Sequence, residues 1–356
     1  MNILIVKTSA IGDVTHTLPA LHALRHHYPE ARIDWLVEEA AAGIIAGHSE
    51  LARVLVSRRR QWAAQLKAGS PLAAFREFYQ FIQELRAVSY DLIIDFQGLL
   101  KSGVLIGLAR GRRKVGFGRG MEHAECSYVF LNERVPAVSM DQHAVHRELQ
   151  LLAAIGVPTA EISFTLPLTA EHRQQARELL GRHGIVENSS LVAINPVATW
   201  ETKLWNGPGF AEVADRLMAG GHSVVFTGSK GDRLPIEAII SAMQQPAINL
   251  AGTTSLMGLA ALYERAGLVI STDTGPMHIA AATGTPVLAL FGPTAPWRTG
   301  PFGDQHQVLR VGLDCSPCLK RTCPLGTIDC MQRLTVEQVL AVATGMLAGR
   351  VVGGTS

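Results

Sequence analysis

The sequence predicts an α/β protein of two doubly wound, Rossmann-like domains that face each other across a cleft. The chain has 356 residues, of which 47% are hydrophobic, and this is enough for two separate cores. Short β-branched strands alternate with longer helical patterns, which is typical of parallel sheets covered by helices. The alternation stops at Gly156–Pro167, a segment with two prolines, and restarts afterwards. We therefore expect domains at 1–160 and 161–334, followed by a helix and tail at 335–356.

Hydrophobic periodicity places the main elements. In the first half, strands are predicted at Ile3–Lys7, Arg32–Val37 and Asp91–Asp95, a helix at Val14–His27, and the end of another helix at Glu148–Ile155. In the second half, the predicted strands are Leu191–Asn195, Ser223–Thr227, Leu268–Ser271 and Pro286–Phe291. The predicted helices there are Glu171–His183, Phe210–Met218, Pro235–Met243, Leu256–Ala266, Met277–Thr283 and Thr335–Leu347. The glycine-rich tail Gly349–Ser356 is expected to fray.

Charge and composition exclude some classes of protein. The net charge of +2 gives no overall field that would attract nucleic acid. No run of eighteen apolar residues is present, so no membrane span is predicted. The apolar run Ile3–Val6 follows Met1 and Asn2 without the features of a signal peptide. We expect a cytoplasmic protein whose five cysteines are reduced unless a metal holds them.

Doubly wound sheets bind ligands at the carboxyl ends of their strands. The segment Asp273–Gly275 follows such a strand and leads into a helix that contains Pro276 and His278. Free N–H groups at a helix start, together with the helix dipole, favour a phosphate. A simple helix cap by Asp273 or Thr274 explains the same segment equally well.

The loop after the first strand ends in Gly12 and Asp13. Asp13 at a helix start fits an N-terminal cap, and a carboxylate in the predicted crevice also fits a general base. The sequence leaves both roles open.

Three further strand-end loops carry polar groups. Thr199 and Lys203 follow the first strand of the second half, where Lys203 fits a phosphate ligand or a surface lysine. Asp232 lies in a glycine-bearing loop that is no P-loop, and it fits a ribose ligand. Gly292 and Thr294 follow the last predicted strand.

The first half is locally basic. The basic residues that stand out are Arg58, Arg59, Arg60, Lys101, Arg112, Arg113, Lys114 and Arg119, with His143 and Arg147 further along. Such residues fit a solvated face, a polyanionic acceptor or an anionic membrane surface.

Four cysteines, Cys315, Cys318, Cys323 and Cys330, lie within one short segment. They fit either a zinc tetrathiolate or reduced loop thiols, and the spacing is not that of a common zinc ribbon. Cys126 stands apart and is expected to be a small buried side chain.

Taken together, these segments resemble the bacterial lipopolysaccharide heptosyltransferases of glycosyltransferase family nine, especially the heptosyltransferase I branch. The resemblance is carried by Ile5–Val14, His16–Leu21, Asp34–Glu39, Ile94–Ser102, His143–Arg147, Lys203–Trp205, Asp273–Gly275 with His278, and Gly292–Thr294. It spans nearly the whole chain in order. It implies a GT-B architecture, an ADP-heptose donor and a Kdo-lipid A acceptor on the cytoplasmic face of the inner membrane.

The resemblance also implies a role for single residues. Asp13 matches the proposed general base, and Lys203 the lysine that stabilises the donor phosphates. The other implied donor ligands are Thr199, Asp232, Asp273, Thr274, Gly275, His278, Gly292 and Thr294. The implied acceptor ligands are Arg58, Arg59, Arg60, Gln97, Lys101, Arg119 and His143. Two departures are Ala198, where the branch carries threonine, and the cysteine segment, which is closer to heptosyltransferase II.

The implied reaction is a single inverting displacement without a metal cofactor, since the sequence has no Asp-x-Asp motif. The protein is expected to touch the membrane peripherally and to bind no nucleic acid. Alternatives are heptosyltransferase II, acting on heptosyl-Kdo-lipid A, and a family member with another sugar donor. A nicotinamide-dependent oxidoreductase would need a G-x-G-x-x-G turn that is missing after the first strand, and a nucleotide-sugar sensor would not need Asp13.

Overall fold

The computed structural model describes residues 1–122 and 125–349. The chain divides into two compact units, of which the first is Met1–Pro167 and the second begins at Leu168. The division falls at the end of the proline-bearing segment, a few residues after the boundary expected from the sequence. Most of the tail expected to fray lies outside the described residues.

The first unit is built on a six-stranded parallel sheet of order β3-β2-β1-β4-β5-β6. Its strands are β1 (Asn2–Val6), β2 (Arg32–Glu38), β3 (Arg53–Ser57), β4 (Tyr90–Asp95), β5 (Gly111–Phe117) and β6 (Glu133–Val135). Its helices are α1 (Ile11–His16), α2 (Leu18–His27), α3 (Glu39–Ala42), α4 (Arg59–Lys67), α5 (Pro71–Arg86), α6 (Leu100–Leu108) and α7 (Ala144–Ala153). A short 3-10 helix covers Cys126–Phe130.

The second unit repeats the plan with a six-stranded parallel sheet of order β12-β11-β10-β7-β8-β9. Its strands are β7 (Leu191–Asn195), β8 (Ser223–Phe226), β9 (Ile248–Asn249), β10 (Leu268–Thr272), β11 (Val287–Leu290) and β12 (Gln307–Leu309). Its helices are α8 (Ala170–Arg182), α9 (Gly207–Ala219), α10 (Arg233–Ser241), α11 (Leu256–Arg265), α12 (Gly275–Ala282), α13 (Pro296–Thr299), α14 (Asp329–Gln332) and α15 (Val336–Leu347). Short 3-10 helices cover Glu201–Lys203 and Lys230–Asp232.

Both sheets have the strand order of a Rossmann fold, in which the direction of winding reverses between two central strands. In the first sheet these strands are β1 and β4, and Val6 pairs with Asp95 at their ends. In the second they are β7 and β10, and Asn195 pairs with Ser271. The loops that follow these four residues therefore begin side by side, where a doubly wound sheet binds its ligand.

The central strands form the core of each unit. Ile3–Val6 and Leu191–Ile194 are fully buried, because helices cover both faces of each sheet. No helix within residues 1–122 and 125–349 is long and apolar enough to cross a membrane.

The prediction of a single helix at Val14–His27 is wrong, because the chain forms α1 and α2 with a break at Thr17. Pro19 lies in the first turn of α2 and has no N–H to continue the hydrogen-bond pattern of α1. Cys126 is exposed at the start of its 3-10 helix, so the prediction that it is buried is also wrong.

Candidate active site

A cavity of about 220 Å³ opens at the carboxyl ends of β1 and β4 in the first unit. Its polar lining includes Lys7, Asp13, Asp95, Gln97, Arg147 and Glu148. This is the reversal point of the sheet, where the sequence predicted a ligand crevice. Asp13, Gln97 and Arg147 were singled out from the sequence, whereas no role was predicted for Lys7, Asp95 or Glu148.

Lys7 and Glu148 form a buried ion pair in the wall of this cavity. The Lys7 Nζ lies 2.7 Å from Glu148 Oε1 and donates to the backbone oxygen of Phe96 at 2.9 Å. Burial lowers the pKa of the Lys7 ammonium, but the nearby carboxylates of Glu148 and Asp13 outweigh burial and raise it overall. Lys7 therefore stays protonated, and its charge is balanced by Glu148 in the same wall of the cavity.

Asp13 caps the start of α1 and also faces the cavity. Its Oδ2 accepts a hydrogen bond from the backbone N–H of Ala10 at 2.9 Å. The side chain is only half-buried, and the residue lines the cavity together with Lys7. The geometry thus allows the capping role and leaves a carboxylate oxygen near the space where a ligand would bind.

Gln97 fixes the loop that follows β1. Its Oε1 accepts from the backbone N–H and the hydroxyl of Thr8, at 2.8 and 2.9 Å, and from the N–H of Ser9 at 2.9 Å. Asp95 in turn accepts from the backbone N–H groups of Gln97 and Gly98, and burial raises its pKa. Gln97 is therefore both a lining residue and the support of its neighbouring loop.

The remaining predicted acceptor residues lie outside the cavity lining. Lys101 Nζ lies 2.8 Å from Glu38 Oε1 and 2.6 Å from Ser9 Oγ, and Arg59 pairs with the same Glu38 oxygen at 3.4 Å. Lys101 is thus tied to the loop that Gln97 supports, and Arg59 to the end of β2.

Arg58 pairs with Glu39 at 3.3 Å, while Arg60 and Arg119 are exposed. His143 precedes α7, and its side chain accepts from the N–H of Val145. The predicted acceptor residues therefore do not form one compact group, and their shared role stays a prediction.

In the second unit, Lys203 and Asp273 meet at the reversal point of the sheet. Lys203 Nζ lies 2.7 Å from Asp273 Oδ2, and Thr294 donates its hydroxyl to the same oxygen at 2.6 Å. Lys203 Nζ also lies 4.7 Å from the centre of the Trp200 ring. Three loops that the sequence singled out separately, after β7, β10 and β11, thus converge on one carboxylate.

The start of α12 is part of the same group. Thr274 precedes the helix with an extended backbone, and its side chain makes no capping hydrogen bond. Pro276 stands in the first turn, and His278 is buried on the helix. Because Lys203 contacts Asp273, two residues before α12, its ammonium lies near the positive end of the helix dipole. Such an arrangement favours an anion.

The other predicted donor residues have local roles. Asp232 Oδ2 accepts from the N–H and the hydroxyl of Ser229, at 2.7 and 2.6 Å. A Cβ on Gly292 would lie 2.6 Å from Met331 Sδ, so packing already requires glycine there. Thr199 is exposed in the loop after β7. That Asp232, Gly292 and Thr199 bind the donor stays a prediction.

The cysteine-bearing segment packs against the Lys203 site, which the sequence did not predict. Leu319 donates its N–H to the oxygen of Pro293 at 2.8 Å, and the Thr202 hydroxyl donates to the oxygen of Lys320 at 2.8 Å. Cys315, Cys318, Cys323 and Cys330 are free thiols. Within the described parts of the chain no group of three or more His, Cys, Asp or Glu residues is placed to hold a metal. The choice between zinc ligands and loop thiols stays open.

Comparison with known proteins identifies the family. The family model described as glycosyltransferase family 9 (heptosyltransferase) matches residues 78–329. Lipopolysaccharide heptosyltransferase 1 of Pseudomonas aeruginosa is 34% identical over 91% of this chain and 87% of its own.

Two solved structures of the E. coli heptosyltransferase WaaC are also similar, each with 26% identity. The form with ADP has a TM-score of 0.77 and covers 97% of this chain and 100% of its own. The form with ADP-2-deoxy-2-fluoro heptose has a TM-score of 0.74 and covers 97% and 99%. These similarities confirm the predicted two-domain α/β class and the predicted resemblance. The chain belongs to glycosyltransferase family 9, the heptosyltransferases, and is a glycosyltransferase.

Proposed function

We propose that this enzyme transfers L-glycero-D-manno-heptose from ADP-heptose to the Kdo of Kdo-lipid A during assembly of the lipopolysaccharide inner core. The convergence of Lys203, Asp273, Thr294 and the start of α12 carries the proposal, because a lysine held beside a helix start suits a diphosphate. The similarity to a heptosyltransferase 1 at 34% identity favours the first heptose addition. Addition to heptosyl-Kdo-lipid A, or use of another sugar donor, is the alternative.

The second unit would hold the donor. Lys203 and the N–H groups at the start of α12 supply positive charge where the diphosphate gains negative charge as the glycosidic bond breaks. Asp273 holds Lys203 in place, and the Thr294 hydroxyl donates a second hydrogen bond to the same Asp273 oxygen. Thr199, Asp232, Thr274, Gly275, His278 and Gly292 complete the proposed donor contacts.

The first unit would hold the acceptor. Asp13 takes the proton of the acceptor hydroxyl, whose oxygen forms the new bond to the anomeric carbon of heptose. The ADP leaves from the opposite face with the electron pair of the broken bond, and the configuration inverts. Lys7, which is paired with Glu148, and Arg147 are the basic residues that line the cavity in which an acidic sugar would bind. Arg58, Arg59, Arg60, Gln97, Lys101, Arg119 and His143 are proposed acceptor contacts.

The charges above can stabilise the leaving diphosphate without a metal, and we propose that the reaction needs none. An acceptor anchored by acyl chains also implies that the enzyme works at the cytoplasmic face of the inner membrane, as a peripheral protein.

A transfer assay tests the proposed function. The purified protein is incubated with ADP-heptose and either Kdo-lipid A or heptosyl-Kdo-lipid A, and the product masses are measured. We expect one added heptose on Kdo-lipid A and none on the heptosylated lipid. Transfer to the heptosylated lipid alone would identify the second addition instead, and ADP release without any lipid product would contradict both assignments.

A further inference from the structure

The hairpin of α4 and α5 in the first unit presents an apolar face to solvent. Leu72 is 85% exposed, Phe75 68% and Tyr79 53%, and all three lie on one side of α5 at helical spacing. Leu66, near the end of α4, is 56% exposed. We define these four side chains as the outer face of the hairpin. Large side chains exposed together mark an interaction surface more often than scattered ones do.

The fold of the hairpin does not depend on its outer face. On the inner side, the ring of Trp62 packs against Phe78 and Phe81 at centroid distances of 5.4 and 5.3 Å. Gln65 donates to Glu77 at 2.8 Å and ties the two helices together. Since the inner contacts hold the hairpin, substitutions on the outer face can be tested without unfolding it.

Both helices of the hairpin carry exposed cations. Arg60, Lys67, Arg76 and Arg86 are exposed, and none of them forms an ion pair with another residue in the described part of the chain. Arg76 and Arg86 lie on the same side of α5 as Phe75 and Tyr79. Of the acids on α5, Glu77 is engaged by Gln65, and Glu84 lies away from this side.

The cations at the start of α4 also suit an anionic surface. Arg58, Arg59 and Arg60 cluster where the helix dipole favours negative charge, so they oppose the dipole of their own helix. Arg58 and Arg59 are paired with Glu39 and Glu38, so Arg60 is the cation of the three that a bound anion would relieve. The hairpin therefore combines apolar side chains with cations that suit an anionic surface.

We propose that the outer face of the α4–α5 hairpin docks the enzyme on the surface of an anionic phospholipid bilayer. The apolar side chains would enter the boundary between headgroups and acyl chains, while Lys67, Arg76 and Arg86 contact the phosphates. A bilayer fits better than a second copy of this chain, because the cations around one hairpin would repel those around another. The proposal rests on the proposed function in one respect, that a lipid acceptor gives such docking a purpose.

Vesicle flotation tests the docking. The full chain is mixed with vesicles of phosphatidylcholine alone or with one third phosphatidylglycerol, and the bound fraction is measured at low and high salt. We expect binding to the anionic vesicles that weakens with salt. The triple variant Leu72→Ser/Phe75→Ser/Tyr79→Ser should bind at least tenfold more weakly, and Lys67→Gln/Arg76→Gln should remove most of the salt dependence. The matched control is Leu234→Ser, a residue 79% exposed in the second unit, which should bind like the wild type.

Two readouts separate docking from transfer. Heptose transfer to a deacylated, water-soluble Kdo acceptor should be the same in the triple variant and the wild type. If the wild type fails to transfer, the proposed function is wrong, whereas vesicle binding still tests the docking. Unchanged vesicle binding by the triple variant would overturn the docking proposal. So would a concentration-dependent dimer, measured by sedimentation, that the triple variant loses.

Discussion

Lys203 Nζ lies 2.7 Å from Asp273 Oδ2, which joins the loop after β7 to the loop after β10 at the point where the second sheet reverses its winding. Both side chains are largely shielded from water, with 17% and 6% of their surfaces exposed. Asp273 therefore holds the Lys203 ammonium in a fixed place next to the start of α12. A diphosphate that arrives there meets a preorganised cation, which is the arrangement that stabilises a charged leaving group.

Lys203→Gln tests this relationship. The substitution removes the charge and keeps a polar side chain, and we expect the turnover number to fall by roughly 10²–10³ because stabilisation of the leaving group is lost. Adding a chelator should leave the turnover numbers of the wild type and of the Lys203→Gln variant unchanged. Arg177→Gln, on the exposed surface of α8, is the matched control and should behave like the wild type. A strict requirement for magnesium in the wild type would contradict a metal-free reaction.

The buried Lys7–Glu148 pair gives a prediction about stability. Lys7→Met leaves the Glu148 carboxyl buried without its cation, and we expect a loss of about 3–5 kcal/mol in the free energy of unfolding. The double variant Lys7→Met/Glu148→Leu should recover much of this loss, because no buried charge remains. Urea unfolding of the three proteins measures the difference. A double variant as unstable as the single one would show that packing, rather than charge, decides the effect.

His306 makes stability depend on pH. The backbone N–H of Val287 donates to His306 Nδ1, which requires that nitrogen to be unprotonated, and burial lowers the pKa of the ring to about 4. In the unfolded chain the pKa of His306 is near 6.5. Between about pH 4 and pH 6.5 the unfolded chain therefore binds a proton at His306 that the folded chain does not bind. Stability is therefore fully present above about pH 6.5 and falls by about 3 kcal/mol as the pH drops to about 4.

Urea unfolding between pH 4 and 8 measures this dependence. His306→Gln keeps an acceptor for Val287 and has no ring to titrate, so its unfolding free energy should change less with pH in this window. An equal slope in the two proteins would assign the acid sensitivity to other groups.

Arg60 separates acceptor binding from donor binding. Its neighbours Arg58 and Arg59 are paired with Glu39 and Glu38, whereas Arg60 has no ion pair within the described residues. Arg60→Gln should raise the KM for Kdo-lipid A roughly fivefold at low salt, as expected for one exposed charge contact of about 1 kcal/mol. The KM for ADP-heptose should stay the same. Equal changes in both constants would contradict the assignment, and Arg182→Gln serves as the control.

The sequence predicted the centre of both sheets well and their edges poorly. Buried strands such as Leu191–Asn195 are marked by continuous apolar runs, and the structure has this strand at the same bounds. The edge strands β3 (Arg53–Ser57) and β12 (Gln307–Leu309) are partly exposed, and their apolar runs span only three and two residues. The break between α1 and α2 was missed because Pro19 is compatible with the first turn of a new helix as well as with a kink.

For the candidate site, strand-end loops pointed to Asp13 in the first unit and to Lys203 and Asp273 in the second, because topology brings the loops at the reversal point of each sheet together. The contacts within them could not be predicted. Glu148 reaches Lys7 from α7, far along the chain, and only the packing of α7 against the sheet reveals the pair. The missed signal was Lys7 itself, a lysine that directly continues the buried run Ile3–Val6. A charged residue in such a place needs a partner.

Asp13 is the residue on which the proposed chemistry depends. Asp13→Asn keeps an oxygen that can accept from the N–H of Ala10, so the start of α1 stays capped while the base is lost. The decisive measurement is the single-turnover rate of heptose transfer by this variant, with the dissociation constant of ADP determined on the same preparation. We predict a rate lower by roughly 10²–10⁴ and an ADP dissociation constant within twofold of the wild type. A transfer rate close to that of the wild type would contradict the role of Asp13 as the general base.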